Sequence, residues 1–170
     1  MSNAVVSLHF LSFKIDRMLL EIKNTVQVLL KKYSSNDWSF AVGIRTPDYI
    51  AADGLYIGGI NLKLFVGSEN DPEVCLQAGI AGVFKATGTD VPLELEESVV
   101  KTQIPGLLAP YLRAAVTNVL ASSGFDSLIL PLINFNALAE QQLKDIAINR
   151  IEPAQNPPAP NPAPAQGESR

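Results

Sequence analysis

The apolar pattern of this chain changes period once, close to Gly88, and that switch limits the fold more than any other feature. Before it, apolar residues recur at every second position, as on a strand with one buried face; beyond it they recur at helical intervals. In the run "LSFKID", Leu11, Phe13 and Ile15 alternate with Ser12, Lys14 and Asp16. After Asp16 the apolar set moves to Met18, Leu20 and Ile22, with Arg17 and Glu21 opposite. A phase slip inside one long strand requires a bulge or a bend. "WSFAVGIR" then places Trp38, Phe40, Val42 and Ile44 on one side, until Thr46, Pro47 and Asp48 end the run. A third strand sets Ile60, Leu62, Leu64 and Val66 against Asn61 and Lys63. After the turn residues 67–72, Val74, Leu76, Ala78 and Ile80 alternate with Cys75, Gln77 and Gly79. Short connections predict an antiparallel meander in a four-stranded sheet with one face covered. The glycines at 58, 59, 79 and 82 mark places where another backbone or a ligand comes close.

Residues 104–122 carry Leu108, Leu112, Ala115, Val116, Val119 and Leu120 at helical spacing, closed by "SSG". Pro105 and Pro110 fall in its first turns. Either Pro105 opens the helix and Pro110 bends it, its ring pressing on the carbonyl of Gly106, or Pro110 is itself the start. A second helix is predicted over 136–149, capped by Asn134 or Asn136. The link between them, "FDSLILPLIN", is apolar for a loop. Leu128, Ile129, Leu130, Leu132 and Ile133 cannot all stand in water, so the link must pack against something. From residue 151 the chain turns into a Pro- and Ala-rich tail, predicted to be disordered. The expected organisation is terminal residues 1–4, one α+β domain over 5–150 with two helices packed on one face of the sheet, and the tail.

A length of 170 residues suits one domain. Charged residues make up 18% against 47% hydrophobic, and mean hydropathy is +0.17. Surplus apolar surface of this kind belongs in subunit contacts or in a site for apolar partners, so an oligomer is expected. Thirteen basic and seventeen acidic residues give a net charge of −4, with no basic run longer than Lys31 and Lys32, which argues against nucleic-acid binding. No uninterrupted apolar stretch approaches the ~20 residues of a membrane span, and no signal peptide is recognisable. The single Cys75 has no disulfide partner in the chain and fits the reducing cytoplasm.

Catalytic constellations are weak. His9 is the only histidine and reads as structural or solvated. Cys75 has no histidine near it in sequence and reads as a small hydrophobe. Asp90, Glu94, Glu96 and Glu97 read as a solvated, dipole-favoured approach to a helix. "FKATGTD" lacks the spacing of a phosphate loop, and no metal-ligand cluster or cofactor motif is present. An enzyme is not expected.

One stretch carries a resemblance. "IPGLLAPYLRAAVTNVLASSGFDSLILPLINFNAL" resembles the C-terminal half of the SecB family of bacterial export chaperones. The shared marks are Pro105, then Pro110, Tyr111 and Arg113 opening a long helix, and Pro131, Asn134, Phe135, Ala137 and Leu138 ending an apolar crossover. The pair Asp37–Trp38, and Gly82 with Phe84, fit collinearly, so that the resemblance spans about residues 5–148.

The resemblance implies a cytoplasmic, ATP-independent holdase. It would be a homotetramer, a dimer of dimers, that takes unfolded preproteins into apolar grooves and docks the export motor SecA. Groove walls are expected from Trp38, Phe40, Val42 and Ile44 with Phe125, Leu128, Leu130, Leu132, Phe135 and Leu138. The long helix is expected to supply core and subunit interface together, the interface from Leu108, Tyr111, Leu112, Arg113 and Val116, with Arg113 an interfacial ion-pair partner. Motor docking in that family uses acidic residues on the exposed sheet face. Here Glu21 matches one, whereas Arg17 stands nearby and strand four offers Cys75 and Gln77. The alternatives are a related chaperone serving a non-export client, such as the antitoxin of a toxin–antitoxin pair, and a passive interaction scaffold.

Overall fold

The computed structural model describes residues 5–88, 91–125, 128 and 130–152. Strands come first: β1 (Ser7–Ile22), β2 (Trp38–Ile50), β3 (Leu55–Gly67) and β4 (Pro72–Thr87), with a short helix α1 (Val26–Lys32) between β1 and β2. The long helix α2 (Leu93–Ser122), helix α3 (Phe135–Leu143) and a three-residue strand β5 (Asn149–Ile151) follow. The sheet order is β1-β4-β3-β2-β5. All pairings are antiparallel except β5 on β2.

The fold is thus α+β as expected, with five strands in a mixed sheet and three helices where four strands and two helices were predicted. The additions are short elements without a readable period. β5 is only "NRI", and it ends the predicted second helix early, at Leu143 rather than 149. Ile151 belongs to the sheet, so the folded unit runs past residue 150; the tail expected beyond it lies outside the described residues.

The phase slip in β1 is a bulge at Asp16, and a second one sits at Leu11. Between them they bring Leu8, Phe10, Phe13, Ile15, Met18, Leu20 and Ile22 opposite Ala86, Phe84, Gly82, Ile80, Ala78, Leu76 and Val74, all on one face. That face is only partly covered. Met18 and Leu20 pack on the core, while Leu11, Phe13 and Ile15, expected to be buried, are exposed on the edge strand.

α2 is the cover. It begins at Leu93, with Glu94 and Glu96 in its first turn complementing the helix dipole, and runs unbroken through both prolines. Neither proline opens it, contrary to both sequence readings. A proline inside a helix costs about 3 kcal/mol, but the row Val100, Ile104, Leu108, Leu112, Val116 and Leu120 is almost wholly buried on the sheet. Burying each such side chain contributes about 1.5–3 kcal/mol, so six of them outweigh two breakers. By length and composition alone the helix could cross a membrane; in this fold it covers the sheet instead. Contact is close at two glycines: a Cβ on Gly58 would sit 2.7 Å from Ile104, and one on Gly82 2.7 Å from Leu108.

Polar staples hold the ends. Glu73 on β4 accepts from Tyr33 at 2.9 Å, and from Lys32 and Asn24, tying α1 to the start of β4. The Lys32 ammonium, then the Tyr33 hydroxyl, holds the Glu73 carboxyl below its ordinary range. At the other end Arg150 pairs with Glu97 at 2.5 Å and lies over the Tyr49 ring, fastening β5. Tyr56 donates to Glu96 at 2.5 Å; burial first, then Glu96, pushes its hydroxyl pKa upward.

Candidate functional site

The apolar crossover from α2 to α3 settles on the helix side of the sheet, over β2 and the middle of α2. Arg113 holds it there, donating to the carbonyls of Leu130 at 3.2 Å and Pro131 at 2.6 Å. These bonds satisfy two backbone acceptors in a segment that has no strand or helix partner. Within its own chain the guanidinium is thus engaged with the crossover backbone.

Leu130 is 7% exposed and Phe125 is buried, so both are core. Beneath the crossover the space against Phe40, Val42, Leu62 and Leu112 is nearly filled, about 20 Å³. Open hollows lie on either side. One, of about 420 Å³, is lined by Ser35, Asn36, Trp38, Phe40, Leu64, Leu128, Leu130 and Pro131. The other, of about 400 Å³, runs from Gly106, Ala109, Pro110 and Arg113 on α2 to Leu132, Ile133 and Phe135. Together they form a trough divided by the crossover, apolar on the α2 side and mixed where Ser35 and Asn36 line it.

Most of the expected wall residues meet here. Trp38 stands edge-on to Phe125 at 5.4 Å, Phe40 is 45% exposed, and Val42, Leu128 and Phe135 are half-buried. Leu132 is 93% exposed, so it does not pack as the apolar link was expected to; it projects from the rim. Val42, Ile44, Phe125 and Leu138 line neither hollow; Val42 lies beneath the crossover and Phe125 is buried behind Trp38. Ile44 instead donates its N–H to Gln142 of α3 at 2.9 Å, while Gln142 donates to the carbonyl of Val42 at 3.0 Å. Ile129 lies outside the described residues. Sequence reasoning missed Leu62, Leu64, Ala109, Pro131 and Ile133 as wall residues. The strand alternation marks Leu62 and Leu64 as inward-facing, and both are buried in the core, but it does not show that their edges floor the space beneath and beside the crossover.

The expected interface residues separate. Leu108, Leu112 and Val116 are buried against the chain's own sheet, because the row that faces the core is the most apolar face of α2. Tyr111 stays 41% exposed, its ring 4.5 Å from Phe13, which also stacks on Phe10. On the opposite sheet face, Glu21 is exposed beside its buried partner Cys75, and Gln77 is half-buried. Among the described residues no group of three His, Cys, Asp or Glu side chains is placed to hold a metal ion.

A five-stranded sheet covered by one long helix, with an apolar crossover returning over it, defines an α+β protein. Residues 9–146 match the family model for the preprotein translocase subunit SecB. The chain is 31% identical over 124 residues to the protein-export protein SecB of Azoarcus sp. (strain BH72), covering 72% of this chain and 79% of that one. It is 30% identical over 124 residues to its namesake from Methylibium petroleiphilum, covering 72% of each. A solved SecB-like chaperone of Mycobacterium tuberculosis, in complex with a ChAD peptide from the HigA1 antitoxin, shares the fold with a TM-score of 0.55. Its identity is 14%, over 74% of this chain and 90% of that one. The chain belongs to the SecB family, whose members are chaperones of protein export and not enzymes.

Proposed function

We propose that this protein is an ATP-independent holdase that binds unfolded preproteins and other unfolded chains along the trough. The two hollows flanking the Arg113-held crossover carry the reading. An aromatic client side chain buries about 150–250 Å², worth about 4–6 kcal/mol at 25 cal/mol per Å² before costs. Ordering each client residue costs about 1–2 kcal/mol. One contact is therefore nearly neutral once a few residues are ordered, and affinity comes from several hollows engaged by the same chain. Release needs no chemical energy.

The assembly proposed is a homotetramer, a dimer of dimers, in the cytoplasm, where the lone Cys75 stays a thiol. Once Leu108, Leu112 and Val116 are assigned to the core, the apolar surface left for a neighbouring subunit is Leu107 and Tyr111 with Phe13 and Ile15, all exposed. A second reading, a chaperone for a non-export client in place of SecA service, is favoured by Arg17 standing where the resemblance implies an acid. Glu21, Cys75 and Gln77 would be the docking positions for SecA.

The test is suppression of aggregation of a chemically unfolded client without nucleotide. Suppression near equimolar tetramer supports the proposal, and failure at several-fold excess overturns it. A SecA pull-down separates the two readings, and light scattering after size exclusion reports the tetramer.

A further inference from the structure

The sheet face turned away from the helices carries an uneven charge. Lys14 and Arg17 on β1 and Lys63 on β3 lie on that face, as their registers opposite Ala81, Gly79 and Gln77 require. Among the described residues the ion pairs are Lys23–Asp71, Lys32–Glu73, Arg45–Asp16 and Arg150–Glu97, which leaves those three cations without a carboxylate, Lys63 lying over the Phe65 ring at 5.0 Å. Of the acids on the same strands, Asp16 is held by Arg45 at 2.6 Å and Glu73 by Lys32 and Tyr33; Glu21 stands alone. A chain of net charge −4 thus presents a basic strip on one sheet face.

The strip is also hollow. Two neighbouring rows cross the sheet there, Arg17–Gly79–Asn61–Gly43 and Leu19–Gln77–Lys63–Ala41. Gly79 in the first row, and Gly43 and Ala41 at the β2 end, leave the surface low, while Arg17 stands at the β1 end of one row and Lys63 on β3 in the next; the depression they line measures about 410 Å³. The amides of Asn61 and Gln77 line it as well. The depression is kept in place by Arg45, which crosses Gly59 to reach the Ile80 carbonyl at 2.5 Å and Asp16 in the β1 bulge.

We infer that this depression docks an extended acidic segment of a partner protein, its carboxylates seated on Arg17 and Lys63 and its backbone on the Asn61 and Gln77 amides. The spacing fits that occupant. Two strands sideways and one residue pair along place the cations about 12 Å apart, the reach of carboxylates three or four residues apart on an extended chain. Opposite charge steers such a segment in and makes the contact salt-sensitive. This site is separate from the trough and does not rest on what the trough binds.

The test uses the full chain and a fluorescent peptide of about ten residues alternating Glu and Ser, read by anisotropy, with a Lys–Ser peptide and a single-stranded RNA of equal charge alongside. The acidic peptide is expected to bind, to weaken at least about threefold between low and moderate salt, and to weaken at least about fivefold in Arg17→Gln/Lys63→Gln, with the thermal midpoint unchanged. Phe40→Ser, in the trough, leaves it untouched. Equal binding to the double variant, a Lys–Ser peptide lost by the same variant, or tighter binding of the RNA through the same residues overturns the inference. A double variant that unfolds is replaced by the single Lys63→Gln, for which at least a twofold weakening is required.

Discussion

The Arg113 guanidinium of α2 donates to the carbonyl of Pro131 at 2.6 Å, fixing the crossover between the two hollows. Removing it frees that segment without touching the apolar core. Arg113→Ala is expected to lose about 1.5–3 kcal/mol, the range for hydrogen bonds to charged groups, and hydrogen exchange at residues 130–134 should accelerate selectively. Arg113→Lys, with one point donor in place of a fork, should recover only part. Uniform acceleration throughout the chain would contradict this role.

Leu130 and Leu132 are two residues apart and opposite in fate. Leu130→Ala should cost about 2–5 kcal/mol, as for other buried leucines, whereas Leu132→Ser should leave the denaturation midpoint in place, because the side chain is 93% exposed. If the trough receives clients, Leu132→Ser nevertheless weakens aggregation suppression. Unfolding curves and client light scattering measured on the same samples decide it.

Gln142 closes the edge of β2 by accepting from Ile44 and donating to Val42. Gln142→Glu keeps the acceptor but sets a carboxylate against the Val42 carbonyl. Its stability should therefore fall as pH rises through the carboxyl's titration near 4–5, and urea midpoints at pH 4 and pH 7 would reveal a pH-independent loss if the contact were unimportant.

The Glu73 carboxyl titrates below its ordinary 4.5 because Lys32, and then Tyr33, bind its charged form. A depressed folded pKa contributes stability above the unfolded value that is lost as pH falls through the folded one. Thermal midpoints of the wild type should drop on acidification below about pH 4.5, and Glu73→Gln should flatten that limb. On the alkaline side, Lys32 has a raised pKa, so its share persists up to its ordinary 10.5 and disappears above it.

Gly59→Ala would place a methyl 2.5 Å from both the Arg45 Nε and the Ile80 carbonyl. The arginine can swing aside but the backbone cannot, so a loss of about 1–3 kcal/mol is expected, with the thermal midpoint as readout.

Much of this architecture is legible in the sequence, for reasons that also mark its limits. The slip after Asp16 announced the bulge because alternation is strict wherever one face is buried. The second bulge, at Leu11, gives no such sign, since Leu11 is itself apolar. Pro105 and Pro110 misled about the start of α2 because local helix chemistry says nothing of the sheet that holds the helix. "VQVLLKK" and "NRI" are too short for any period to emerge. Trp38 and Phe40 were readable as wall residues, while the work of Arg113 depends on where the crossover returns, which residue spacing does not encode.

Pro105 and Pro110 have no N–H to offer the carbonyls of Lys101 and Gly106, so α2 lacks two rungs of its ladder within three turns. Bending stiffness in a helix resides in those rungs, and here they are missing where Gly106, Ala109 and Pro110 wall a hollow. If the trough receives clients, they meet the longest helix where its own ladder is thinnest, and there the wall is held in place by Ile104 and Leu108 seated on Gly58 and Gly82 and not by helix hydrogen bonds.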